Sequence, residues 1–384
     1  MNNFSFCNPV KIIFGKDSIS KIATELPTNA KVLMLYGGGS IKKNGVYSQV
    51  TKALGDRVFL EFGAIEANPR FETCMKAVAL IKEQSIDYLL AVGGGSVLDA
   101  TKFISAASCY QGTEAWDIIA KELPLTKALP FGAVLTLPAT GSEMNSGAVI
   151  TRESTKDKLA FNSPLVFPQF SVLDPSVTFS LPSRQVANGI IDTFVHVVEQ
   201  YLTDANDAPL QDYFAESILQ VLFEEGPKAL TDPNNYEVRA NLMWASTWAL
   251  NGWIACGVKQ DWATHIIGHE ITALYELDHA QTLAIILPGV MKVMKKHKGK
   301  KIQQMGKRIF GIQAANEEEQ IAQTINAVEA FFNSLGVKTR LGEYGIEEKV
   351  CAEVAERIKL RGWKLGEHGD ITSETVAEIL AGRM

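Results

Sequence analysis

Leu89-Leu90-Ala91-Val92-Gly93-Gly94-Gly95-Ser96-Val97-Leu98-Asp99-Ala100-Thr101-Lys102 joins a short apolar run to three glycines and then to a stretch of helical character. A strand, a glycine cluster and a helix start form an arrangement that holds phosphate. Bare glycines let the backbone approach a pyrophosphate, and the free N–H groups of the first helical turn point at its oxygens. The motif is neither GxGxxG nor GxxxxGK[ST]. Taken alone, a tight turn explains it equally well.

The same pattern recurs on either side. Tyr36-Gly37-Gly38-Gly39-Ser40 follows the run Val32–Tyr36 and leads to Lys42 and Lys43. Two glycine loops suit a dinucleotide better than one. An acid in 37–41 would hold a ribose 2′-hydroxyl and repel a 2′-phosphate. None stands there, which favours NADP over NAD, although surface lysines such as Lys42 and Lys43 usually only solvate a helix. A third loop, Thr136-Leu137-Pro138-Ala139-Thr140-Gly141-Ser142-Glu143, again follows an apolar run and offers hydroxyls to phosphate or to a nicotinamide amide.

Apolar runs at Val10–Phe14, Val32–Tyr36, Val58–Phe62, Leu89–Val92, Val134–Leu137 and Phe170–Leu173 alternate with helical stretches such as Phe71–Gln84. That alternation predicts βαβ units and a sheet covered on both faces. After Leu173-Asp174-Pro175 the pattern changes. Helical spacing dominates at Ile190–Leu202, Leu210–Glu225, Val238–Gly252, Trp262–Tyr275, Ile321–Leu335 and Thr372–Leu380. The expected fold is a Rossmann-like α/β dinucleotide-binding domain over 1–178, followed by an all-α domain over 179–384.

A chain of 384 residues suits two domains. With 43 acids against 37 bases the net charge is −6, which argues against general affinity for nucleic acid or anionic membrane. The lysines at 292, 295, 296, 298, 300 and 301 read as a solvated helix face rather than a nucleic-acid patch. Five cysteines without a CxxC argue against a disulfide framework and a Cys-rich zinc site. Met1-Asn2-Asn3-Phe4 lacks a basic n-region, and no apolar run reaches the ~18 residues of a membrane span. A cytoplasmic enzyme with no membrane partner is the expectation.

Four of the six histidines, His196, His265, His269 and His279, lie in the helical half between 196 and 279. Asp192 and His196 are four apart on one helix and share a face, as do His265 and His269 on another. A carboxylate with imidazoles suits Fe²⁺ or Zn²⁺, and a position left open for substrate would make the site catalytic. Two of His265, His269 and His279 would complete a set with Asp192 and His196. Spacing favours 265 with 269 but does not settle the choice.

Together, Gly93-Gly94-Gly95-Ser96-x-x-Asp99-x-x-Lys102, Thr136-x-x-x-Thr140-Gly141-Ser142-Glu143, Asp192-x-x-x-His196-x-x-Glu199 and His265-x-x-x-His269-x₉-His279 resemble the iron-containing (group III) alcohol dehydrogenases over essentially the whole chain. Val10–Lys16 and Ile65–Pro69 fit as well. The Tyr36–Ser40 loop points to the NADPH-dependent butanol dehydrogenase/aldehyde reductase branch. The resemblance implies a dehydroquinate synthase-like architecture and a homodimer. It implies metal ligands Asp192, His196, His265 and His279, with His269 beside nicotinamide and substrate; His269, or a water relayed through it, is the candidate proton source. It also implies coenzyme contacts at Gly38, Ser40, Asn68, Gly94, Gly95, Ser96, Asp99, Thr136, Thr140, Ser142 and Lys158. Ala280 departs from the Gly that many members carry there, a change the butanol dehydrogenase branch shares.

The expected reaction moves hydride between NADP(H) and a small neutral aldehyde or alcohol, with one divalent ion, Fe²⁺ or Zn²⁺, as Lewis acid. Trp262 and Asn145 are candidates for the substrate pocket, with core packing and a loop cap as their plainer roles. A glycerol dehydrogenase-like polyol oxidoreductase and a dehydroquinate synthase-like lyase are the alternatives on this fold. The lyase would need Lys and Arg around the metal, and 185–200 and 261–280 contain neither.

Overall fold

The structure, a computed structural model, describes residues 1–204 and 207–384. Its contacts divide it into two compact units: Cys7–Leu181 with Asn234–Thr247, and Met1–Phe6 with Pro182–Pro233 and Trp248–Met384.

The first unit is α/β. Its strands are β1 (Lys11–Phe14), β2 (Val32–Tyr36), β3 (Phe59–Phe62), β4 (Tyr88–Gly94), β5 (Phe131–Leu137), β6 (Gly147–Arg152), β7 (Asp157–Asn162) and β8 (Phe170–Leu173). Six of them form a parallel sheet in the order β1-β8-β5-β4-β2-β3, and β6 and β7 pair as a separate antiparallel hairpin. The helices are α1 (Ile22–Glu25), α2 (Val46–Leu54), α3 (Phe71–Gln84), α4 (Gly95–Cys109) and α5 (Asp117–Ala120). The two-residue period of a strand explains the layers. Leu33, Leu35, Leu89 and Ala91 point to one face, against Val78, Leu98 and Phe103 of α3 and α4. Val32, Met34, Leu90 and Val92 point to the other, against Ile19, Ile22, Val46 and Val50.

β3 lies on one side of β2, whereas β4, β5 and β8 follow on the other. The chain therefore changes direction between β2 and β4. The crevice at the carboxyl ends of such strands is where open α/β sheets bind ligands. Both glycine loops leave from these two strands. The sequence reading located all six strands of the main sheet but not the β6–β7 hairpin, whose apolar runs, Ala148–Ile150 and Leu159–Phe161, are only three residues long.

The second unit holds α6 (Ser183–Tyr201), α7 (Pro209–Thr231), the end of α8 (Tyr236–Ala249), α9 (Ala263–Tyr275), α10 (His279–Val293), α11 (Lys295–Ile309), α12 (Glu317–Ser334), α13 (Lys349–Leu360) and α14 (Ser373–Ala381). From Val186 to Tyr201 every residue of α6 except Asn188 is buried, as expected of a helix at the centre of a bundle. Ile267, Ile271, Ile285 and Ile286 of α9 and α10 pack with Val354, Ile358, Val376 and Ile379 of α13 and α14.

Most of α8 groups with the α/β unit, because Met243 packs with Leu135, Leu173 and Ile12, and Trp244 meets Phe14 edge-on. The lysine-rich α11 corrects the reading of a wholly solvated face. Lys298 and Lys301 are buried: Lys298 pairs with Asp261 at 2.8 Å and donates to the Leu202 carbonyl, and Lys301 pairs with Asp212. Carboxylates inside the bundle need these cations, since an unpaired buried charge is costly. Among the described residues, no helix is long and apolar enough to cross a membrane.

Candidate active site

The helical unit carries the first part of the site. Asp192 and His196 lie one turn apart on α6, and both are buried. His265 sits in the first turn of α9, also buried. Glu276 adopts a left-handed conformation (φ 57°) that ends α9, and Asp278 then caps α10 in a capping box with Gln281, so that His279 is its first residue. This tight reversal returns His279 to Asp192.

Asp192 Oδ1 lies 3.6 Å from His196 Nδ1, 3.8 Å from His265 Nε2 and 3.7 Å from His279 Nε2. These separations are too long for hydrogen bonds. An ion with four ligands at ~2.1 Å in a tetrahedron sets donor–donor edges of about 3.4 Å. Ligand atoms of Asp192, His265 and His279 all lie within 4.8 Å of one another, a spacing that a divalent cation can bridge, and His196 Nδ1 approaches the same Asp192 oxygen from α6. His196 Nδ1 and His265 Nε2 are buried without a hydrogen-bond partner, a state that is costly unless another group engages them. The residues fit a borderline divalent metal.

The electrostatics of His196 agree with a ligating role. Burial holds His196 down to about 4 against the pull of Asp192, so its ring is neutral and able to ligate near neutral pH. At His265 burial opposes the charged ring, but the Glu199 and Asp192 carboxylates outweigh it and push it up to about 9. Glu199 is itself raised, chiefly by burial. The two carboxylates therefore favour the charged His265 ring, and a cation bound at Nε2 must displace the proton there. Sequence reading quoted Glu199 within its motif but gave it no role.

His269 is one turn beyond His265 on α9. Its ring centroid is 4.9 Å from that of His279 and 6.2 Å from that of His265. The His269 ring is thus a neighbour of the Asp192 group. Trp262 places its ring 5.3 Å from His265 and 6.2 Å from His196, and its indole N–H donates to Gln260.

The α/β unit carries the second part. A side chain at Gly93 would collide with Val97, one at Gly94 would press on Leu137, and one at Gly95 would collide with Thr140. The glycines let β4, the first turn of α4 and the loop after β5 approach each other. Ser96 donates to the Ala67 carbonyl, and Lys158 on β7 donates to Asn68 at 3.0 Å. The candidates Gly94, Gly95, Ser96, Thr140, Asn68 and Lys158 therefore belong to one region. Thr136 lies in β5, which pairs with β4.

Asp99 and Ser142 are occupied within the protein. Ser142 donates to Asp99 at 2.7 Å, and the second Asp99 oxygen accepts the Val149 N–H. Lys102, fully buried, donates to Ser142, to Asn145 and to the Gly147 carbonyl at 2.7–2.8 Å. Burial lowers it to about 8. Asn145 thus braces the loop. The buried Glu143 accepts from Thr247 of α8.

Gly38 and Ser40 lie exposed in the turn after β2, and a side chain at Gly38 would meet nothing within 4 Å. The loop has no acid of its own, but parallel pairing brings Glu61 of β3 close to it. Glu61 pairs with Lys42 at 3.0 Å and accepts from Tyr36 and Tyr47. Sequence reading missed this acid, which is remote along the chain; the only signal for it was its place near the end of a strand adjacent to β2.

Comparison with known proteins decides the family. Residues 9–175 match the iron-containing alcohol dehydrogenase model, and 186–384 match the C-terminal model of the Fe-containing alcohol dehydrogenase family. The chain belongs to the iron-containing alcohol dehydrogenase family. Like that family, it is an oxidoreductase of alcohols and aldehydes. It is 51% identical to the NADPH-dependent aldehyde reductase YqhD of Escherichia coli over 99% of both chains. It is 38% identical to NADH-dependent butanol dehydrogenase B of Clostridium acetobutylicum, again over 99% of both. The crystal structure of E. coli YqhD superimposes with a TM-score of 0.99 at 50% identity, covering 100% of this chain and 99% of that one. The NADH-dependent butanol dehydrogenase A of Thermotoga maritima gives 0.96 at 37% identity, with the same coverage. This family match makes the two-part fold that of a dehydroquinate synthase-like architecture.

Proposed function

We propose that this iron-containing alcohol dehydrogenase reduces short- to medium-chain aldehydes with NADPH, and oxidises the matching alcohols with NADP, using one Fe²⁺ or Zn²⁺. The observation that carries the reading is the single Asp192 oxygen facing three imidazole nitrogens at 3.6–3.8 Å. Asp192, His196, His265 and His279 would hold the ion. When bound, the ion supplies Lewis acidity toward the substrate oxygen and the coenzyme supplies the hydride.

The chain's own residues do the rest. Gly94, Gly95 and Ser96 present the amino end of α4 to a pyrophosphate. Asp99, Ser142, Thr136, Thr140, Asn68 and Lys158 shape the region around it, with Lys102 fixing the loop that carries Ser142. Gly38 and Ser40 receive the adenosine ribose and its 2′-phosphate. His269, on the edge of the metal group, holds the proton destined for the substrate oxygen. NADPH is supported by the absence of an acid in 37–41, by open space at Gly38 and by the name of the E. coli relative, whereas the butanol dehydrogenases are named for NADH.

The chain acts in the cytoplasm as a homodimer. All five cysteines are free, which suits a reducing compartment. β1 forms an edge of the sheet beside the exposed Phe14–Trp244 pair, which suits a second copy.

The test is a panel of aldehydes and alcohols assayed with NADPH and NADH after chelation and reloading with Fe²⁺ or Zn²⁺. Butanal should consume NADPH in reloaded protein and not in stripped protein. Turnover indifferent to chelation would overturn the metal reading, and preference for NADH would overturn the coenzyme reading. Sedimentation of the purified chain tests the dimer.

A further inference from the structure

Glu199 lies on the same face of α6 as Asp192 and His196, at i+7 and i+3 from them, and is 3% exposed. Its Oε1 accepts the backbone N–H of Thr264 at 2.6 Å and that of His265 at 3.4 Å. Its Oε2 meets His265 Nδ1. Its own carbonyl accepts the Asp261 N–H at 2.8 Å, and the Asp261 carboxylate accepts the Ala263 N–H. The residue flanking α9, Trp262, makes no side-chain cap. Asp261 and Glu199 therefore satisfy the first N–H groups of α9 in its place, and a carboxylate there also complements the helix dipole.

We propose that Glu199 is a positioning residue that fixes both the tautomer of His265 and the start of the helix that carries it, and so sets how tightly the Asp192 centre holds a divalent cation. The inference rests on the metal reading above. A carboxylate at Nδ1 keeps the ring proton on that nitrogen. A cation that displaces the other ring proton then finds the lone pair on Nε2, the atom that faces Asp192 and has no hydrogen-bond partner. The other Glu199 oxygen holds the helix start. Two accepting oxygens are needed at once, and among side chains of this length only a carboxylate has them.

Glutamine separates these roles because it keeps the shape. With its oxygen on the Thr264 N–H, its amide NH₂ would donate to His265 Nδ1 and move the ring proton to Nε2, removing the lone pair. With the amide turned round, the NH₂ would face two N–H groups. Either way one of the two roles fails.

The experiment strips wild type and Glu199→Gln with chelator and titrates each with Co²⁺. Binding is followed by the visible bands of the bound ion and by competition with a chromophoric chelator, and the metal-free proteins are melted in parallel. Wild type should bind one Co²⁺. The variant should bind roughly 10–100-fold more weakly, with a metal-free melt close to that of wild type. A variant that binds Co²⁺ as wild type does overturns the proposal. Wild type that binds no Co²⁺ overturns the metal reading instead. Should the variant fail to fold, ¹⁵N-histidine spectra of zinc-loaded wild type decide. A proton on His265 Nδ1 supports the proposal, and a proton on Nε2 overturns it.

Discussion

Around Asp192 the helical unit gathers side chains: a carboxylate and three imidazoles, buried, with a second carboxylate behind them. Around Gly93, Gly94 and Gly95 the α/β unit removes them, so that backbone segments close on one another. The first region is specified by the chemistry of its atoms and the second by the shape left when atoms are missing. They should therefore fail differently. Damage to the first should remove chemistry and leave the fold, whereas damage to the second should alter coenzyme binding or stability before chemistry.

The sharpest break is His265→Ala. It should abolish metal retention and lower turnover more than about 100-fold, with a near-native circular dichroism spectrum. Metal analysis and kcat on one preparation check this, and full activity in metal-free mutant protein would end the comparison.

Lys102→Met tests the second region through its buried ammonium. Ser142, Asn145 and the Gly147 carbonyl would lose their donor, and Asp99 and Glu143 the cation that opposes their burial. Urea unfolding should show a loss of about 3–5 kcal/mol. The same lysine gives a pH signature. Burial lowers it from 10.5 to about 8, so between these values the unfolded chain keeps a proton that the native chain has released. Unfolding free energy should therefore rise with pH across that window, by at most about 3 kcal/mol, and the variant should lack this rise.

Gly38→Asp is milder because a side chain there meets nothing. It should raise the KM for NADPH roughly tenfold, equivalent to about 1.4 kcal/mol of charge repulsion, and leave that for NADH nearly unchanged. Equal effects would discredit the 2′-phosphate assignment. Glu276→Gly is smallest. It relieves a left-handed residue between α9 and α10 and should stabilise the protein by about 1 kcal/mol, read as a higher Tm with metal binding retained.

Much of this was legible in the sequence. Val32–Tyr36, Phe71–Gln84 and Phe170–Leu173 carry burial patterns so regular that the structure returns the same bounds. The hairpin of β6 and β7 was not legible, because its apolar runs are only three residues long and its strands pair with each other rather than with the main sheet. Lys298 and Lys301 misled because a lysine's partner lies elsewhere: Asp261 and Asp212 are far along the chain. Glu61 was invisible beside the Gly37–Gly39 loop for the same reason.

The amino-acid sequence alone determined the kinds of element, the two glycine loops and the Asp and His from which the candidate centre is drawn, since periodicity, backbone freedom and ligand chemistry are properties of residues and their neighbours along the chain. Tertiary structure decided which of those residues meet. Spacing paired His265 with His269, yet a left-handed Glu276 and a capped α10 bring His279 to Asp192. It also decided that Glu199 stands behind His265. Such encounters depend on how distant segments pack, and local spacing carries no information about that.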